Sequence, residues 1–217
     1  MNDAEIVAWH KKNLAAEVAG KMVKRGFKAV YVPTAAEAKA AVLDWLPTDG
    51  SLALLGSQTM NQLGVYAHLR QSGRQLVDHA TQTAGLTPAE ADNYKRGVFT
   101  AAAMLTSANA VDMEGRLYNI DGVGNRVAGL IFGPDSVVVA VGLNKLAPTP
   151  EAAWQRARQV ASPMNNKRLN YNNPCAKSGR CHDCQTVTSI CNYFAVIDRS
   201  RPEGRIKVVL VGEDLGY

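Results

Sequence analysis

Cys175, Cys181, Cys184 and Cys191 are the whole thiol supply of the chain, and they share one 17-residue window with the spacing C-x5-C-x2-C-x6-C. Random scatter over 217 positions would seldom gather them so closely, so a common task is implied. In a reducing compartment disulfides are disfavoured, which leaves metal binding or redox chemistry. Four thiolates can close a tetrahedral zinc site or hold an iron–sulfur cluster, since both are soft-ligand centres. Only Cys181 and Cys184 form the C-x2-C pair that zinc sites ordinarily use twice, and this departure favours a 4Fe-4S cluster over zinc. His182 lies between two of the cysteines and could replace one as ligand, although exposure to solvent is the commoner fate of such a residue. The bland alternative is a metal that staples the loop and reacts with nothing.

A second group of residues clusters at apparent strand ends. Gly56-Ser57-Gln58-Thr59 follows an apolar strand and precedes a helix, placing two hydroxyls and free backbone N–H groups where an anion could bind. Ser57 as an ordinary helix cap is the simpler reading. The run Asn119-Ile120-Asp121-Gly122-Val123-Gly124-Asn125-Arg126 crowds more polar groups into eight residues than a turn requires, and Arg126 could clamp a carboxylate or phosphate. It is not the G-x-G-x-x-G fingerprint of dinucleotide binding. Gly142-Leu143-Asn144-Lys145 ends a third apolar strand, with Lys145 a candidate anion clamp or, if desolvated, a nucleophile. In open α/β sheets ligands gather at carboxyl strand ends, so Gly56–Thr59, Ser107–Asn109 and Gly142–Lys145 are expected to share one rim. No Ser-His-Asp or Cys-His triad is legible among His10, His68 and His79.

The elements that must position these groups alternate along the chain. A helix over 3–25 ends at Gly26, and strands are expected at 29–32, 51–55, 75–78, 103–107, 136–141 and 206–211. Helices are expected at 34–46, 60–71, 87–102 and 149–164, with Thr34, Thr87 and Thr149 as caps. Repeated βα units mean a mostly parallel sheet covered on both faces, a three-layer α/β/α arrangement. Around 112–120 the texture changes to a turn and a short strand, which suggests a hairpin or mixed-sheet element.

Composition sets the outer limits. With 24 Lys+Arg against 19 Asp+Glu the net charge is +5, and residues 151–180 hold Arg156, Arg158, Lys167, Arg168, Lys177 and Arg180 against Glu151 alone. Nucleic acid is a poor explanation of this patch, because no aromatic interleaving or known binding motif accompanies it. A collar of Lys167, Arg168, Lys177 and Arg180 around an anionic metal centre explains it better, for zinc tetrathiolate and cluster alike. No apolar stretch approaches a membrane span, and the acidic, amphipathic start is unlike a secretory signal, so a cytoplasmic address is expected.

The motifs just quoted, with the stretch Pro174-Cys175 to Cys191 and the ending Gly204-Arg-Ile-Lys-Val-Val-Leu-Val-Gly-Glu-Asp-Leu-Gly216, together resemble the LUD domain, the lactate utilisation protein family. The similarity covers nearly the whole chain and is to the branch with a cysteine-rich C-terminal segment. It implies one domain over 1–217, with a fold similar to the sugar-phosphate isomerase and CoA-transferase group and a metal-binding insertion at about 170–195. It also implies a role beside iron–sulfur protein partners in oxidising L-lactate to pyruvate, and adds weight to 4Fe-4S. The site residues so implied are Gly56, Ser57, Thr59, Asn119, Asp121, Gly122, Asn125, Arg126, Asn144 and Lys145 for a small organic acid or phosphorylated metabolite, and the four cysteines for metal. Two classes stay open: a redox subunit, or a non-redox enzyme or binding protein of isomerase or CoA-transferase type with a structural zinc.

Overall fold

The computed structural model describes residues 2–217. Helix α1 (Asp3–Lys24) leads into β1 (Lys28–Val32), α2 (Ala35–Asp44), β2 (Leu52–Leu54), α3 (Gln58–Gln62), α4 (Val65–Gln71), β3 (Leu76–Asp78), α5 (His79–Gln82) and α6 (Pro88–Arg96). Then follow β4 (Ala103–Thr106), β5 (Ala110–Asp112), β6 (Leu117–Asp121), α7 (Asn125–Phe132) and β7 (Val137–Gly142). The chain continues through β8 (Leu146–Ala147), α8 (Pro150–Arg156), α9 (Ser162–Arg168), α10 (Pro174–Ser178), β9 (Tyr193–Ile197) and β10 (Ile206–Val211).

Six strands pair in parallel in the order β1-β10-β7-β4-β2-β3. Their apolar runs are continuous rather than alternating because helices cover both faces. In β7, Val137, Val139 and Val141 face one core with Val18 and Met22 of α1, while Val138 and Ala140 face another with Val42 of α2 and Met60 of α3. Strand β10 splits likewise, Val208 and Leu210 against Val209 and Val211. Each fully buried side chain of this kind contributes about 1.5–3 kcal/mol. The result is the expected three-layer α/β/α arrangement, and no helix among the described residues is long and apolar enough to cross a membrane.

The mixed-sheet element expected near residue 112 is a separate four-stranded sheet in the order β8-β5-β6-β9. Strand β9 pairs antiparallel with β6 from Leu117↔Ile197 to Asp121↔Tyr193. Periodicity does not betray it, because as an edge strand it leaves Tyr193, Phe194 and Val196 exposed without alternation. Three expected helices are broken. Gly64, at φ +68°, separates α3 from α4, and a 3-10 turn (Gly97–Thr100) ends α6. The long helix from Pro150 contains a π turn (Ala157–Ala161) and runs on to Arg168. Pro163 lacks the N–H that would reach back one turn. The helix widens just before it, and both the backbone N–H and the hydroxyl of Ser162 donate to the Ala157 carbonyl.

The turn at Gly26 fastens α1 to the loop ahead of β10. Gly26 has φ +81°, and a Cβ there would stand 2.6 Å from the Ser200 carbonyl oxygen, which is backbone and cannot swing aside. Gly26→Ala is therefore expected to cost about 1–3 kcal/mol, read as a lower urea midpoint at unchanged slope.

Candidate functional site

The carboxyl ends of β7, β4 and β2 are adjacent, and the structure brings together there the three segments expected to share a rim. Tyr66 of α4 fixes the spacing of two of them: its buried hydroxyl lies 2.5 Å from the Leu55 carbonyl and 2.9 Å from that of Leu105. Lys145, on the 3-10 turn after β7, is 2% exposed. Its Nζ donates to Thr59 Oγ1 at 2.8 Å, Ser107 Oγ at 3.0 Å and the Ala108 carbonyl at 3.3 Å. All three acceptors are neutral, and no carboxylate among the described residues forms an ion pair with it. Burial, and then the nearby Arg156 and Arg126, push the ammonium down to about 7 from the ordinary value of 10.5.

A cavity of about 290 Å³ opens beside this amine, lined by Gly56, Ser57, Asp121, Gly122, Asn125, Arg126 and Lys145 among the expected residues. Several of them have local structural duties as well. Ser57 Oγ accepts from the Met60 N–H and so caps α3. Asp121 Oδ2 accepts from the N–H groups of Arg126 and Val127, each at 3.1 Å, and so caps α7. The Arg126 guanidinium is almost wholly used internally. It donates to the Ser107 and Ile120 carbonyls and to the amide oxygens of Asn119 and Asn109, at 2.7–3.1 Å. Asn119 thus serves Arg126 instead of facing the cavity, and its buried amide nitrogen finds no hydrogen-bond partner among the described residues. Thr59 reaches the site through the Lys145 contact.

Asn144 lies elsewhere. Its Nδ2 donates to the Gly216 carbonyl and its Oδ1 accepts from the Leu215 N–H, so it fastens the segment after β10 over the site. Gly142 permits that approach, because a Cβ there would be 2.6 Å from the Leu215 nitrogen. The cavity wall also includes His79, Arg168 and Tyr217, which strand-end reasoning did not assign to it. Burial holds the His79 imidazole below its ordinary value of 6.5. Arg168 is aimed by two hydrogen bonds to Asn165 Oδ1. Among the side chains that line the cavity, the basic Arg126, Arg168 and Lys145 outnumber the one acidic side chain, Asp121, so the wall carries an excess of basic groups.

The cysteines line a second cavity, of about 390 Å³. Cys175 sits on α10 and is buried, while Cys181, Cys184 and Cys191 are half-buried in the segment that follows. Burial raises the thiols of Cys175 and Cys191, and their mutual proximity to Cys181 and Cys184 raises them further. The Asp183 N–H, in a left-handed turn at φ 52°, points at Cys181 Sγ from 3.4 Å. His182 instead contacts the Ser178 hydroxyl at 2.7 Å. The cation on this wall is Arg158, paired with Asp183, rather than any of the four collar residues expected from the sequence. Among the described residues no three His, Cys, Asp or Glu side chains are gathered closely enough to hold a single metal ion.

Asn173, which spacing rules gave no reason to single out, organises this segment. It is 1% exposed, accepts from the hydroxyls of Thr186 and Thr188, and donates to Asn166 Oδ1 and the Thr188 carbonyl. The two cavities share a wall at Ser162, beside the π turn. Gly122 adds a second junction: a Cβ there would be 3.2 Å from the Ile190 Cα, and the Gly122 carbonyl accepts from Asn192 Nδ2 at 2.9 Å.

The LUD domain family model matches residues 15–211 of the chain. Among solved structures, the crystal structure of a DUF162 family protein from Deinococcus radiodurans superposes with a TM-score of 0.54. That alignment covers 93% of this chain and 98% of the other at 15% identity, a likeness of fold. No curated protein matches the chain.

The buried Lys145 has a consequence for stability. Between about pH 7 and 10.5 the folded chain holds it neutral while the unfolded chain keeps its proton, so deprotonation of the unfolded state with rising pH favours folding. Relative to Lys145→Met, wild-type stability is expected to rise by up to about 1.4 kcal/mol per pH unit across that window, measured by urea unfolding at a series of pH values.

Proposed function

This chain belongs to the LUD domain family, which is associated with lactate utilisation, and we propose that it serves lactate oxidation as an electron-transfer subunit carrying a 4Fe-4S cluster on Cys175, Cys181, Cys184 and Cys191. The observation that carries this reading is that all four thiols line one cavity, and that this cavity shares the Ser162 wall with the cavity beside Lys145.

All four thiols line the one cavity. Four thiolates are the soft-ligand set of an iron–sulfur cluster and of zinc alike, and the single C-x2-C pair, Cys181 with Cys184, is what favours the cluster. When bound, the cluster supplies one-electron transfer at a potential set by charge, hydrogen bonding and solvent exposure. The chain's part is to provide the Asp183 N–H aimed at Cys181 and the Arg158 cation on the wall, both of which stabilise negative sulfur. Asn173 keeps the segment in place.

On the other side of Ser162, the chain binds a small organic acid. Arg168, which forms no ion pair among the described residues, supplies positive charge, Lys145 an amine that an incoming carboxylate would favour protonating, and Ser57 and Asn125 a hydroxyl and an amide whose donors make no hydrogen bond within the described residues. Oxidation of lactate to pyruvate releases two electrons and two protons, and iron–sulfur proteins of a lactate-oxidising assembly are the partners that would carry the electrons onward.

The decisive measurement is anaerobic purification followed by visible absorption and assay of iron, acid-labile sulfide and zinc. Four irons and four sulfides per chain are expected, falling at least several-fold in Cys181→Ser and Cys184→Ser. A colourless protein with one zinc and no sulfide overturns the electron-transfer reading and makes the segment a structural staple.

A further inference from the structure

We propose that Lys145 is a carbonyl-reactive amine that captures a small 2-oxo acid in the adjoining cavity as an imine. The proposal rests on the organic-acid reading of that cavity and is independent of what the cysteines hold.

A lysine buried for structural reasons is ordinarily paired with a carboxylate, because an isolated ammonium is costly to remove from water. Lys145 is 2% exposed and, among the described residues, hydrogen-bonds two hydroxyls and a carbonyl and nothing else. The charged groups packed around it, Arg126 from α7 and Arg156 from α8, are cations. Each is anchored by hydrogen bonds to carbonyl oxygens, Arg126 to Ser107 and Ile120, and Arg156 to Asn144 and Asn109. Desolvation and neighbouring cations are the two devices by which a lysine becomes a nucleophile at neutral pH. Both are present here, at an amine that borders a cavity of about 290 Å³.

The same imbalance selects the substrate. A 2-oxo acid carries its carboxylate next to the reacting carbonyl, so it delivers the missing negative charge as it presents its electrophile. In the reaction the Nζ lone pair forms a bond to C2 and the carbonyl oxygen takes up a proton, giving a carbinolamine. The C2–O bond then breaks with loss of water, and a C=N bond forms. One water leaves and no electrons change hands. The protons have neighbours to move through: Ser107 Oγ donates to Thr59 Oγ1 at 3.2 Å, both touch Nζ, and His79 lines the same cavity.

The test is reductive trapping. The full chain is incubated at pH 7 with pyruvate and sodium cyanoborohydride and then analysed by intact mass and peptide mapping. One 1-carboxyethyl group per chain on Lys145 is expected, saturable in pyruvate, suppressed by lactate, and at least about tenfold faster than on any exposed lysine, which at pH 7 has on the order of a thousand times less free amine. In Lys145→Arg the label should vanish; mapping of the wild-type chain decides the matter even if that variant does not fold. Labelling scattered over exposed lysines in linear proportion to pyruvate, or no labelling, overturns the proposal. Calorimetric titration with lactate separates the two readings. Lactate binding without trapping overturns the imine alone, whereas neither binding nor trapping overturns the organic-acid reading with it.

Discussion

The Arg126 guanidinium ties the loop between β4 and β5 to β6, where the parallel sheet gives way to the second one. One side chain satisfies the Ser107 carbonyl after β4, the Asn109 amide oxygen, and two acceptors on β6. Because hydrogen bonds from a charged donor to buried acceptors are among the strongest available, their geometry is fixed closely. The loop after β4 can then offer Ser107 Oγ and the Ala108 carbonyl to Lys145, and Asp121 can cap the helix that carries Arg126 itself. The parallel sheet supplies a stiff floor, and this guanidinium converts that floor into a site.

The cysteine segment obeys a different rule. It has little apolar material to bury, and a polar side chain, Asn173, takes the place of a hydrophobic core by using both ends of its amide. The π turn before Pro163 sets Ser162 between the two cavities, where an unbroken α-helix would turn a different face to each. The cavity beside Lys145 and the thiol-lined cavity therefore lie against one and the same serine.

The main sheet was legible because strands buried on both faces write long apolar runs such as Val137–Val141, and because threonine caps mark helix starts at Thr34, Thr87 and Thr149. Edge strand β9 was not, since Tyr193, Phe194 and Val196 are apolar yet exposed on both faces, so no polar–apolar alternation marks it. The shared rim could be anticipated from strand ends alone, but the division of labour within it could not. Asn119 and Asn144 have the residue types of ligand contacts, yet one serves Arg126 and the other fastens Leu215 and Gly216. Asn173 was invisible for the converse reason, and Arg158 was read only as one of the basic patch: their importance lies in contacts between distant segments, which no local spacing records. The cation lining the cysteine cavity is Arg158, whereas of the collar residues Arg168 lines the cavity beside Lys145.

The contact between Gly122 and the cysteine segment makes the two halves of the site thermodynamically inseparable. Ile190, from between Cys184 and Cys191, forms part of the wall of the Lys145 cavity, and Asn192 bonds the Asp121 and Gly122 carbonyls. The cavity is therefore closed on that side only while the cysteine segment is seated. A group that bound the thiols and held the segment in place would by the same contacts hold the neighbouring pocket closed, and the reverse would follow by linkage. Order in the cysteine segment and closure of the pocket are, in this arrangement, two readings of one equilibrium.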